Sequence, residues 1–142
     1  MRFWDTSALV PLLVAQDRSP EVERWREEDP AAVTWTLTPV EITSALRRLV
    51  REGALAEGIA TQAEAFASEV IGGTHVVTDV ERVKPLAARL LRVHPLRAAD
   101  ALQLGAALLW ADGTPSGLVV HTFDLRLAQA AEREGFRAIG PR

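Results

Sequence analysis

Hydrophobic positions in this chain follow two patterns in turn: short continuous apolar runs, and longer stretches where apolar residues return every three or four positions. Arg2-Phe3-Trp4 leads straight into Asp5-Thr6-Ser7-Ala8-Leu9, which reads as strand, turn and helix. Ser19-Pro20 predicts a cap followed by proline at the first helical position, opening a polar helix that closes before Asp29-Pro30. Residues 32–36 carry the β-branched and aromatic content of a second strand. Thr38-Pro39-Val40-Glu41 has the form of a capping box and opens a helix that reaches Val50, with Gly53 as its stop. A further helix is expected over 55–70, ending at Gly72-Gly73.

The second half repeats the alternation. A short strand at 75–78 is followed by a helix from Asp79 to Val93, broken at His94-Pro95. Residues 96–110 are helical in pattern and nearly apolar all round, as a helix buried against a sheet would be. After the loop 113–117, residues 118–122 read as an internal strand, Phe123-Asp124 turns into a helix through Glu134, and 136–139 form a last strand. Strands alternating with helices predict an α/β fold: a three-layer α/β/α sandwich around a mostly parallel, roughly five-stranded sheet. With no repeat, low-complexity segment or linker, residues 1–142 are expected to form a single domain.

Composition narrows the chemistry. The absence of cysteine excludes thiolate metal sites, iron–sulfur clusters, cysteine nucleophiles and disulfide frameworks, so a cytoplasmic location is expected. A formal net charge of −3 means that any phosphate-binding surface has to be local. Of 16 basic residues only Lys84 is lysine, which removes mechanisms needing a lysine elsewhere. Asp100 and Gln103 interrupt the most apolar stretch, so no membrane span is expected. Asp5 and the lack of a small-residue cleavage site argue against a signal peptide.

Four carboxylates stand out against this background. In open parallel sheets ligands bind beyond the carboxyl ends of the strands, and Asp5 and Asp124 each follow an apolar strand and precede a helix. Either could be a plain N-cap. Glu41 falls in the first turn after the second strand, where the capping box accounts for it equally well. Asp100 is flanked by Ala98, Ala99, Ala101, Leu102 and Leu104, which leave no polar face wide enough to solvate it. An ion pair with Arg97 is the bland explanation. Converging on one sheet edge, four acids would repel, and an all-oxygen cluster is the ligand set of Mg²⁺ or Mn²⁺. Such sites hydrolyse phosphodiesters with activated water.

In order and spacing, Asp5-Thr6-Ser7-Ala8-Leu9, Thr38-Pro39-Val40-Glu41, Leu96-Arg97-Ala98-Ala99-Asp100-Ala101-Leu102 and Thr122-Phe123-Asp124 resemble the motifs of a PIN domain, and specifically of the VapC-type toxin ribonucleases. The resemblance covers nearly the whole chain. It implies that Asp5, Glu41, Asp100 and Asp124 form a catalytic quartet holding one or two Mg²⁺ or Mn²⁺ ions. It further implies that the Thr6 and Thr122 hydroxyls support the acids or contact phosphate. The substrate implied is single-stranded RNA, and the partners are a cognate antitoxin protein and a second copy in a homodimer. Ala98 stands where relatives often carry a hydroxyl residue.

Among basic residues, Arg47, Arg48 and Arg51 follow Glu41 on one helix, with Arg47 and Arg51 sharing a face, and Arg126 lies two residues after Asp124, making them candidate RNA contacts. His75, His94 and His121 lack metal-site spacing and read as structural, while Trp4, Trp25, Trp35 and Trp110 read as core or dimer surface. Leu9, Pro11, Leu12 and Val14 make a helix more apolar than one core face requires, which suggests a partner surface. The competing functions are a nuclease acting on DNA, a phospho-acceptor domain and a catalytically silent binding module. Lys84 is misplaced for the second of these.

Overall fold

The computed structural model describes residues 1–141; residue 142, the last of the expected domain, lies outside the described residues. Five strands, β1 (Arg2–Trp4), β2 (Ala32–Trp35), β3 (His75–Val77), β4 (Val119–His121) and β5 (Arg137–Ile139), form one sheet in the order β3-β2-β1-β4-β5. Every pairing is parallel, with Phe3 opposite both Val33 and Val120. The helices are α1 (Thr6–Leu13), α2 (Ser19–Glu28), α3 (Thr38–Arg51), α4 (Glu57–Gly72), α5 (Val80–Val93), α6 (Ala98–Trp110) and α7 (Leu125–Arg133). The α/β sandwich expected from the sequence is the fold observed. Among the described residues no helix is long and apolar enough to cross a membrane.

Side chains alternate across each strand, and this divides the core. Phe3, Val33, Trp35, Val77 and Val120 pack under α5, α6 and α7, whereas Trp4 faces the opposite layer with Ala8, Leu9, Val22, Trp25, Ile42 and Leu46. Right-handed crossovers require this division. The chain moves outward from β1 to β3 through α1–α4, then returns to β4 and continues to β5 through α5–α7. The direction reverses between β1 and β4, and a crevice opens there beyond the carboxyl ends of the strands.

Two local expectations change. Ser19 is not the cap of α2: that position is Arg18, without a side-chain cap bond. The Ser19 hydroxyl instead donates to Pro11 O at 2.6 Å and accepts from Gln16 N–H, tying α2 to the end of α1. The apolar excess of α1 is also used internally. Leu9, Pro11 and Val14 are buried and Leu12 is half-buried, because α2, α3 and α4 all pack on this helix. Of the four, only Leu12 is not buried.

Helix α6 is apolar all round because it runs between β2 and the other helices of its layer. A methyl group on Gly105 would stand 3.3 Å from the Ala87 backbone nitrogen and from Val83 Cγ1, so glycine is what lets α5 and α6 approach closely. That close packing fixes α6 along its length and aims its first turn, with Asp100, at the crevice.

Candidate active site

Asp5 is the first residue beyond β1 and caps α1, its Oδ2 accepting from Ser7 N–H at 3.2 Å, Ser7 Oγ at 2.5 Å and Thr122 Oγ1 at 2.9 Å. Asp124 caps α7, its Oδ1 accepting Leu127 N–H at 2.8 Å. Two hydroxyls stitch these turns together. Thr122 Oγ1 also accepts Asp124 N–H at 3.0 Å, and Ser7 Oγ accepts Phe123 N–H at 2.8 Å. Capping is therefore a real role for both aspartates, yet each also lines the crevice.

Glu41 does not complete a capping box. The residue capping α3 is Leu37 and no side chain caps that helix. The Glu41 carboxylate turns instead towards α6 and α1, where its Oε2 accepts from Gln103 Nε2 at 2.6 Å and from Thr6 Oγ1 at 3.3 Å. Asp100, in the first turn of α6, is half-exposed, because the apolar face ends at the crevice mouth. Water reaches it from the crevice, and among the described residues it makes no ion pair with Arg97.

Asp5, Glu41, Asp100 and Asp124 thus come from four separate helix starts and line one open cleft of about 960 Å³. Their electrostatics report crowding. Burial pushes Glu41 up to about 7, assisted by the charges of Asp5 and Asp100 and opposed by the Gln103 and Thr6 hydrogen bonds. Burial likewise raises Asp100 to about 6, assisted by Asp124 and Asp5 and opposed by Arg97 and Arg126. Asp5 is raised by burial against the bonds from Ser7 and Thr122.

Among the described residues, no group of three His, Asp or Glu side chains is drawn together tightly enough to hold an ion unaided. Mg²⁺ does not require that: it keeps several waters and takes one or two carboxylates. The donor set fits such an ion, since a divalent cation offsets the burial and mutual repulsion that raise Asp5, Glu41 and Asp100. Four helix N-termini meeting at the cleft add a field favourable to phosphate.

Residues expected to support the acids lie behind them: Thr122 is fully buried against Asp5, and Thr6 sits between Glu41 and Gln103. Thr122 therefore has no surface to offer a phosphate. Two expected RNA contacts do not reach the cleft. Arg47 is held between Glu64, at 3.1 Å, and Glu57, locking α3 to α4, and Arg51 lies at the far end of α3. Arg126 does line the cleft, as does Arg48 of the same α3 group, and they are joined by Arg97, which the sequence suggested only as an ion-pair partner of Asp100. Among the described residues, none of these three arginines is ion-paired.

Of the histidines, His94 bonds Glu134 at 2.7 Å and His121 stacks on Trp25, both buried, while His75 is exposed at the start of β3. Trp4, Trp25 and Trp35 are core residues and Trp110 is half-buried.

The family model for the PIN domain matches residues 2–133, from the first strand through α7. The chain belongs to the PIN domain family. Within it, this PIN domain is 34% identical over 135 residues to Ribonuclease VapC45 of Mycobacterium tuberculosis, covering 95% of this chain and 92% of that one. It is thereby a VapC-type member. Among solved structures, it resembles VapC20 of M. tuberculosis, described as a sarcin–ricin-loop-cleaving toxin, with TM-score 0.67, 20% identity and coverage of 92% and 95% of the two chains. A toxin–antitoxin complex from Klebsiella pneumoniae superposes with TM-score 0.66 at 15% identity, covering 90% of each chain. These likenesses confirm the fold of the PIN domain.

Proposed function

We propose that this PIN domain is a metal-dependent endoribonuclease and the toxin of a toxin–antitoxin pair. One observation carries the chemistry: four carboxylates from chain-distant helix starts line a single cleft at the sheet's switch point. The names of its relatives support RNA as substrate, Ribonuclease VapC45 foremost. The Klebsiella complex supports an antitoxin partner. A homodimer is part of the same reading.

Asp5, Glu41, Asp100 and Asp124 would hold Mg²⁺ or Mn²⁺, which supplies a water of lowered pKa and a positive charge beside the scissile phosphate. The chain's own residues do the remainder. Ser7 and Thr122 fix Asp5 in one orientation, and Gln103 with Thr6 fixes Glu41. Arg48, Arg97 and Arg126, which make no ion pair among the described residues, bind the flanking phosphates and stabilise charge as it builds on the phosphoryl oxygens. Incubating the protein with a mixed-sequence single-stranded RNA and with DNA of the same sequence, in Mg²⁺, in Mn²⁺ and in EDTA, tests the reading. RNA cleavage in metal alone supports it, DNA cleavage reassigns the substrate, and cleavage in EDTA removes the metal.

A further inference from the structure

Among the described residues, Gln103 is the only buried amide side chain. It lies on α6 three residues after Asp100, flanked by the buried Leu104, Ala101 and Ala107. Leucine or methionine would fill similar space there without a polar atom to remove from water. The amide is poorly served as a structural group, because its Oε1 is buried without a hydrogen-bond partner.

All of its bonding is concentrated at Nε2, which has Glu41 Oε2 at 2.6 Å, Thr6 Oγ1 at 3.1 Å and Thr38 Oγ1 at 3.1 Å. Turning the amide over would set Oε1 against the carboxylate and orphan two N–H groups instead of one carbonyl, so the nitrogen faces Glu41. The three oxygens belong to the first turns of α1 and α3, and Gln103 belongs to the second turn of α6, so one nitrogen ties two of the helix starts that build the cleft to a third helix. The bonds from Gln103 and Thr6 both fall on Oε2 of Glu41 and leave Oε1 uncommitted among the described residues.

We infer that Gln103 is the positioning residue for Glu41: braced on the Thr38 and Thr6 hydroxyls, its amide pins one carboxylate oxygen so that the other is presented to a divalent cation in the cleft. The inference rests on the metal-dependent reading above. It explains why an unsatisfied amide persists in an apolar helix, as a loss of stability kept for the sake of the site.

Calorimetric titration with Mn²⁺, together with the metal-free melting temperature, tests it on wild type, Gln103→Leu, Gln103→Met and Thr38→Val. The expected result is 10–100-fold weaker Mn²⁺ binding, about the effect of removing a hydrogen-bond partner behind a metal ligand, in both Gln103 variants. Thr38→Val falls between them and wild type. The metal-free melting temperature of the Gln103 variants stays at or above wild type, and RNA cleavage loses kcat with KM unchanged.

Wild-type Mn²⁺ affinity in Gln103→Leu and Gln103→Met overturns the inference while leaving the nuclease reading intact. A fall of melting temperature in step with affinity in both variants marks a merely structural amide and also overturns it. If wild type binds no Mn²⁺ and cuts RNA in EDTA, the metal reading fails and this inference with it.

Discussion

The Thr122 hydroxyl donates to Asp5 Oδ2 across 2.9 Å, linking residues 117 positions apart in the chain. The same oxygen accepts the Asp124 N–H, so one small side chain between β4 and α7 holds two members of the acidic quartet in a fixed relation. Both Thr122 and Asp5 are buried, which makes the bond costly to lose.

Thr122→Val keeps the shape and removes the hydroxyl, so it is expected to destabilise the fold by about 1–3 kcal/mol. Mn²⁺ affinity should fall by about 10–100-fold. Urea unfolding and Mn²⁺ titration measure the two effects, and Ser at the same position should restore most of both.

Without metal, the raised carboxylates make stability pH-dependent in a defined direction. Glu41 ionises at about 7 in the folded chain against an ordinary 4.5. Between those values the folded protein keeps a proton that the unfolded chain has released, so this group's contribution falls as pH rises. His121 acts oppositely, since burial holds its imidazole at about 4 against 6.5 and stability from it rises with pH in that interval. Comparing wild type with Glu41→Gln isolates the carboxylate. In EDTA, the stability of wild type relative to the variant is expected to drop between pH 4.5 and 7, read by urea unfolding across pH. A difference that is flat in pH contradicts the assignment.

Asp100→Asn separates repulsion from ligation. Asp100 is raised to about 6 by burial and by the charges of Asp124 and Asp5, so neutralising it is expected to raise the metal-free melting temperature at neutral pH. Wild type gains about 2.7 kcal/mol from a cation at a hundred times its Kd. The variant is expected to gain little. Differential scanning fluorimetry with and without Mn²⁺ checks both halves, and an equal response in the two proteins refutes the role.

Much of the fold was readable because the periodicities were clean. All five strands and the helices between them follow from runs of two kinds; Asp5, Glu41 and Asp124 stand out where strand ends meet helix starts, and Asp100 as a carboxylate without a polar face of its own. What escaped was long-range in origin. The Thr38–Glu41 spacing satisfies a local rule that tertiary structure overrode, because Gln103, 62 residues away, competes better for the carboxylate than the helix's own N–H groups.

Gln103 itself was visible only as an interruption in an apolar stretch. The reasoning applied to Asp100, that a polar group without a polar face needs a partner, applies to it equally. Arg47 and Arg48 are adjacent in sequence but diverge by a helical step of about 100°, which sends one to Glu57 and Glu64 and the other to the cleft. No sequence pattern distinguishes them, because the choice depends on where α4 packs.

That division of arginines has a measurable consequence. In an Asp5→Asn background that binds without cutting, neutralising Arg48, Arg97 or Arg126 to Gln is expected to weaken single-stranded RNA binding. Each change should also reduce the steepness of its salt dependence by about 0.7 per lost phosphate contact. Arg47→Gln should leave the slope unchanged while loosening α3 on α4. Fluorescence anisotropy across a salt series distinguishes the two classes.

The most direct measurement is the cleavage rate of single-stranded RNA in Mg²⁺ by wild type, by Asp5→Asn, Glu41→Gln, Asp100→Asn and Asp124→Asn, and by the exposed control Glu28→Gln. If the four acids form one metal site, each single variant loses cleavage by about 100-fold or more, and pairs lose little beyond the worse single, because groups acting as a unit are not additive. The control cuts like wild type. Wild-type cleavage by any member of the quartet, or cleavage that persists in EDTA, would contradict the site.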